Sequence, residues 1–142
     1  MKEWSDVKKD FVPEGSLRDI YIEDVNESTW NQLLSELPGS GYEFSFAHGQ
    51  KVMALPDSFA EIKQLQKTDP TTLRIAVEKG IWVHCHFFIE SEIELDLSPR
   101  DIDSEVRFNS LVSFLRWLHL GLRKPVKLTH ENSETEVILC LS

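Results

Sequence analysis

The chain predicts an α+β fold: a largely antiparallel sheet with three helices, the longest at about residues 103–122 and packed on one face. Three observations carry this expectation. Apolar and polar residues alternate in eight short segments. Three further stretches place apolar residues three and four apart, the spacing of a helix with one buried face. The order is β-α-β-β-α-β-β-β-α-β-β, so hairpins dominate and the regular βαβ alternation of parallel sheets is absent. At 142 residues, 41% hydrophobic and 27% charged, the chain fits one domain over 1–142 with a sizeable core.

The elements follow in turn. Trp4, Val7 and Phe11 have helical spacing, but Pro13-Glu14-Gly15 ends any such turn. Leu17 to Val25 reads as a strand with Ile20 and Ile22 on one face. Asn26 is placed to cap a helix whose stripe is Trp30, Leu33, Leu34 and Leu37, stopped by Pro38-Gly39. Tyr42, Phe44 and Phe46 alternate, and His48-Gly49 turns the chain into Lys51–Leu55. Ser58 and Glu61 have capping-box spacing before Phe59, Ile62 and Leu65, a sparse stripe that predicts a surface helix.

Leu73, Ile75 and Val77 form the next strand, and Lys79-Gly80 turns into Ile81-Trp82-Val83-His84-Cys85-His86-Phe87-Phe88-Ile89. Ile93, Leu95 and Leu97 make its successor. The long helix starts at Asp103 or Ser104 and buries a face of Val106, Phe108, Leu111, Val112, Phe114, Leu115, Leu118 and Leu122. Gly121 weakens its last turn, Arg123 and Lys124 suit the negative end of its dipole, and Pro125 stops it. Val126–Thr129 and Val137–Leu141 close the chain as two strands.

Composition excludes several function classes. The net charge of −9 disfavours nucleic acid as a partner, since phosphate contacts need clustered Lys and Arg. No apolar run approaches the roughly 20 residues that cross a membrane, and the first ten residues lack the apolar stretch of a signal peptide. A cytoplasmic location is the expectation. Cys85 and Cys140 both lie in apolar strand segments and read as reduced core thiols. No CxxC pair, GxSxG elbow or P-loop occurs, so neither a nucleophilic catalytic residue nor a nucleotide cofactor is expected.

Charge is segregated. Glu90 to Glu105 holds seven acids and one base, while Val106 to His130 holds five bases and no acid. The two runs either neutralise each other in the fold or leave a field that steers a charged partner. Just before the first run, alternation puts Ile81, Val83, Cys85, Phe87 and Ile89 on a core face, and Trp82, His84, His86, Phe88 and Glu90 on the other. A turn at Glu90-Ser91-Glu92 would pair Ile89 with Ile93, Phe88 with Glu94 and His86 with Asp96. Two imidazoles beside a carboxylate can hold a divalent metal or work as an oriented general base. They equally make ordinary cross-strand hydrogen bonds, and His48, His119 and His130 have no spacing that supplies a third ligand. We assign no metal ligand on this basis. The carboxylates Glu92, Glu94 and Asp96 can receive a basic protein surface, or keep an exposed strand from pairing edge to edge. His84, His86, Glu92, Glu94 and Asp96 are thus the candidate binding residues. The four tryptophans read as core and shell packing.

In its size, its acidity and its closing pattern of long helix, Lys124-Pro125-Val126-Lys127-Leu128-Thr129 and terminal strand, the chain resembles the small acidic α+β immunity proteins of bacteria. That resemblance implies a non-enzymatic module that presents an acidic surface to a protein partner. The alternative expectation is a small metal-binding protein or metal-dependent enzyme built on His84 and His86.

Overall fold

The computed structural model describes residues 2–142. Its elements are α1 (Trp4–Val7), β1 (Arg18–Glu23), α2 (Glu27–Glu36), β2 (Glu43–His48), β3 (Lys51–Met53), α3 (Phe59–Leu65), β4 (Thr71–Glu78), β5 (Ile81–Cys85), β6 (Glu92–Leu97), α4 (Glu105–Leu122), β7 (Val126–His130) and β8 (Val137–Leu141). The strands make one eight-stranded sheet in the order β3-β2-β4-β5-β6-β1-β7-β8, every neighbouring pair antiparallel. The α+β class is as expected, with four α-helices where the sequence predicts three. The additional one is the single turn at Trp4, which the pattern of Trp4, Val7 and Phe11 already hinted at.

Period-two alternation sorts the sheet into two unlike faces. Ile20 and Ile22 of β1, Leu73 and Ile75 of β4, Ile81, Val83 and Cys85 of β5, and Ile93, Leu95 and Leu97 of β6 are all buried on one face. They form one cluster with Trp30, Leu33 and Leu34 of α2 and with Phe108, Leu111, Phe114, Leu115 and Leu118 of α4. Asn26 caps α2 as read, accepting from the Thr29 N–H at 3.1 Å, and Ser104 proves to be the cap of α4, accepting from the Arg107 N–H at 3.3 Å. Ser58 accepts from the Glu61 N–H at 3.1 Å. Helix α3 lies at the surface as expected, with Ala60, Glu61 and Gln64 exposed, and sends Phe59 and Ile62 into the core. Conversely Val106 is 70% exposed, since at about 100° per residue it lies on the side of α4 opposite Leu111 and Leu115. Gly121 marks the close approach of α2 and α4: its carbonyl accepts from Gln32 Nε2 at 2.7 Å, and a Cβ there would meet Glu36 Oε2 at 2.6 Å.

The histidine strand ends sooner than its alternation suggests. Phe87 adopts φ 62°, a left-handed conformation uncommon for a bulky side chain and costing about 1–2 kcal/mol. The buried ring compensates. It packs against Trp30 with centroids 5.3 Å apart and against Phe46 at 6.1 Å. Side chains from the helices then hold the turned loop by its carbonyls. Gln66 donates to His86 O and Phe87 O at 3.0 and 3.1 Å, Lys63 to Phe87 O and Phe88 O at 3.2 and 3.1 Å, and Trp30 Nε1 to Glu90 O at 3.0 Å. As a result the β5–β6 register differs from expectation: His84, not His86, lies opposite Asp96, and Ile89 bridges to Glu92. Ile89, read as core, is 51% exposed.

The sheet edges are blunted. Strand β3 is three residues long, and β8 is irregular where Thr129 pairs with Val137, while Lys2 Nζ donates to its Ile138 carbonyl at 2.8 Å. No helix among the described residues is long and apolar enough to cross a membrane. Truncating the centre of the core should be expensive: Leu95→Ala is expected to destabilise by about 2–5 kcal/mol in urea unfolding. Val52→Ala, at the exposed edge, should stay within about 0.5 kcal/mol. Comparable losses from the two would contradict this placement of the core.

Candidate functional site

The helices cover one face of the sheet, which leaves the other with the alternate side chains of every strand. Cross-strand pairing arranges them in rows. One row runs Ser45, Arg74, His84, Asp96, Asp19 and Thr129 across six strands. The next contains Glu94, Tyr21, Lys127 and Cys140, and Glu92 lies opposite Glu23. Strands β6 and β1 therefore present Glu92, Glu94, Asp96, Asp19 and Glu23 as an acidic stripe two strands wide. Arg74 flanks it on one side and Lys127 on the other. All five candidate residues read from the sequence, His84, His86, Glu92, Glu94 and Asp96, lie on or beside this stripe.

The β7–β8 connection folds back over one end. The Asn132 N–H donates to Asp19 Oδ2 at 2.8 Å, and Tyr21 OH donates to the same oxygen at 3.0 Å. Burial pushes the Asp19 carboxyl up, and the two donors oppose that shift. The Tyr21 phenol is driven well above its ordinary value by burial and by the carboxylates of Glu94 and Asp19. The same connection brings Glu134 to Glu92. Burial, Glu134 and Glu94 together raise the Glu92 carboxyl to about 7, and Glu94 is raised chiefly by burial. Oxygens of Glu23, Glu92 and Glu134 lie within 4.8 Å of one another, close enough to share a proton or a hard cation. Lys127 Nζ already pairs with Glu23.

Asp96 is bracketed by the two imidazoles. His86 Nε2 is 3.3 Å from Asp96 Oδ2, and His84 Nδ1 is 3.7 Å from Oδ1. The Asp96 contact raises His86, whereas burial lowers His84 against the pull of the same carboxylate. His86 also stacks on Phe88, centroids 5.3 Å apart. The ring nitrogens and Asp96 oxygens do not converge as the Glu23–Glu92–Glu134 oxygens do. The other histidines are engaged elsewhere: His48 with Leu65 O at 2.7 Å, His119 with Lys124 O at 2.8 Å and His130 with Asp10 at 3.0 Å.

Two sequence expectations need correction. The acidic and basic runs do not neutralise each other: among the described residues their sole ion pair is the local Arg107–Asp103 contact at 3.6 Å. Arg116 and Arg123 belong to a helix on the covered face, so they never meet the stripe. Cys85 is buried as read, its thiol raised to about 12 by burial, but Cys140 is exposed because it shares the open face with Lys127. Sequence reading missed Asp19, Tyr21, Glu23 and Glu134. The alternation of β1 places the first three opposite Ile20 and Ile22, a usable signal, whereas Glu134 arrives through a loop. No protein-family model, curated protein or solved structure matches the chain.

Two outcomes test these electrostatics. Folded Glu92 keeps its proton towards pH 7, while an unfolded glutamate loses it near 4.5, so the folded state binds more protons between these values and loses stability as pH rises through them. Glu92→Gln should therefore raise the urea midpoint at pH 8 and not at pH 4; a pH-independent effect would contradict the crowding. In an NMR titration, His86 should protonate above the ordinary value of about 6.5 and His84 below it. Asp96→Asn should lower both, His86 more; unchanged histidines would show that Asp96 does not govern them.

Proposed function

We propose that this protein is a non-enzymatic interaction module whose open sheet face docks a basic surface of a partner protein. The observation that carries the reading is the stripe of Glu92, Glu94, Asp96, Asp19 and Glu23 on the uncovered face. Burial first, and then the neighbouring carboxylates of Glu134, Glu94 and Glu23, raise Glu92 to about 7, so part of that rise is the cost of gathering like charges. A basic partner relieves that cost, as an apolar or acidic one does not. His84, Glu94 and Asp96 stand on the sheet surface, while Glu23 with Tyr21 and Lys127 lines a small cavity of about 190 Å³ and His86 with Phe88 one of about 380 Å³ at the two ends of the stripe. Small substrates favour concave pockets, and protein partners accept broad surfaces. Phe88, 57% exposed and fixed on His86, stands beside the stripe as the kind of rigid aromatic that anchors interfaces. The resemblance to bacterial immunity proteins makes a toxin the partner class to test first.

The protein encoded next to this chain, or one captured on it and then purified, serves for the measurement. Association should slow as ionic strength rises, because steering between exposed charges is screened beyond about 8 Å at physiological salt. Reversing Glu92, Glu94 and Asp96 to lysine should weaken the purified pair about tenfold or more without lowering the thermal midpoint. Unchanged affinity in a folded triple variant would remove the stripe from the interface.

A further inference from the structure

Beside the acidic stripe, at the end of strands β2, β4 and β5, lies a cavity of about 960 Å³. Its origin is local. Glu43, Ala76 and Trp82 form one cross-strand row on the open face. The short side chain of Ala76 between two long neighbours leaves a depression. Strand β4 carries a bulge there, its register passing from Ala76 opposite Trp82 to Glu78 opposite Ile81. Tyr42 and Trp82 supply aromatic wall, and Glu43 and Glu78 supply carboxylates that enter no ion pair among the described residues. Lys79 is the single base in the wall.

We propose that this cleft is a receptor for a guanidinium on an apolar stem, namely an arginine side chain projecting from the basic partner. The inference rests on the docking reading above and extends it to a specific anchor. Aromatic surface rimmed by carboxylate suits such a group: the ring face attracts the cation, the apolar floor takes the stem, and planar guanidinium matches carboxylate geometry. The molecule already displays the pairing. Arg74 lies over the Trp82 ring with Cζ 4.2 Å from its centroid, yet Arg74 is not part of the cavity wall. Trp82 thus carries one guanidinium on its ring and is itself a lining residue of the cavity. Position supports the same occupant. Trp82 precedes His84 by two residues on β5, about 7 Å along a strand, and His84 is the neighbour of Asp96. A partner that covers the stripe needs one further side chain to reach the cleft.

The test uses defined probes at 150 mM salt, read by NMR on the intact chain: butylguanidinium, its neutral isostere butylurea, and the peptide acetyl-Gly-Arg-Gly-amide. Butylguanidinium should give saturable shifts at the Trp82 indole N–H and the Ala76 and Gly80 amides. Butylurea should bind at least about tenfold more weakly, in line with the loss of a charged hydrogen-bonding group. The peptide should bind at least as tightly as the free cation; a preference for the free cation would overturn the partner-arginine assignment. Changing the exposed Glu43→Gln together with the half-buried Glu78→Gln should weaken butylguanidinium about tenfold in a chain that remains folded, and Trp82→Ala should abolish it. Shifts that do not saturate, equal binding of butylurea, or indifference to the Glu43 and Glu78 changes would overturn the proposal. Reversal of Glu92, Glu94 and Asp96 should leave butylguanidinium binding intact. A cleft that binds the cation in a chain whose stripe docks nothing would thus count against the docking reading and not against the cleft.

Discussion

One-sided cover of a wide sheet is the constraint on which the rest of this structure depends. A single layer of helices spans eight strands, so each strand must send its apolar side chains to the same side. The period of two then dictates what happens opposite. Every residue between two core residues is delivered to the uncovered face, whatever its chemistry. Ile93, Leu95 and Leu97 are required by the core, and the choice of Glu92, Glu94 and Asp96 between them is free of it. The acidic stripe is therefore a property that can vary without disturbing the fold, which is where a binding surface is best placed.

Phe87 joins the two faces mechanically. Its ring belongs to the Trp30 cluster, and its left-handed backbone turns the chain two residues after β5 ends at Cys85. Four carbonyls beyond the strand, of His86, Phe87, Phe88 and Glu90, are then tied to Lys63, Gln66 and Trp30. The loop that presents Phe88 and Ile89 is consequently built on core packing and not on solvent-exposed turns. Docking on such a loop loses little conformational entropy, since the aromatic is ordered before any partner arrives. The same ties set the distance of His86 from Asp96, so the electrostatics of the stripe depend on an aromatic contact on the other side of the sheet.

Much of this was legible in the residues. Alternation identified the strands and, with them, the common face of His84, His86, Glu92, Glu94 and Asp96. The helical stripe at Phe108–Leu118 identified the central helix. What escaped was set by local backbone geometry or by loops. No pattern announces that a phenylalanine will turn left-handed, so the β5–β6 register was read two residues out of place. Val106 is apolar and lies within α4, but its angular position opposite Leu111 and Leu115 turns it to solvent. Glu134 joins Glu92 through a turn whose path leaves no periodic trace. The cleft at Trp82 depends on a small residue opposite a large one, visible only once strands β2, β4 and β5 are known to be neighbours.

The unequal burial of the two cysteines has a practical consequence. Cys85 is enclosed and its thiol held protonated, whereas Cys140 stands exposed on the open face opposite Lys127. Since thiolates and not thiols react with electrophiles, the unaltered chain carries one addressable position, at the border of the acidic stripe. A dye coupled there sits two strands from Tyr21, across Lys127, without any engineered substitution. The native sequence is in that sense already a reporter of whatever approaches this face.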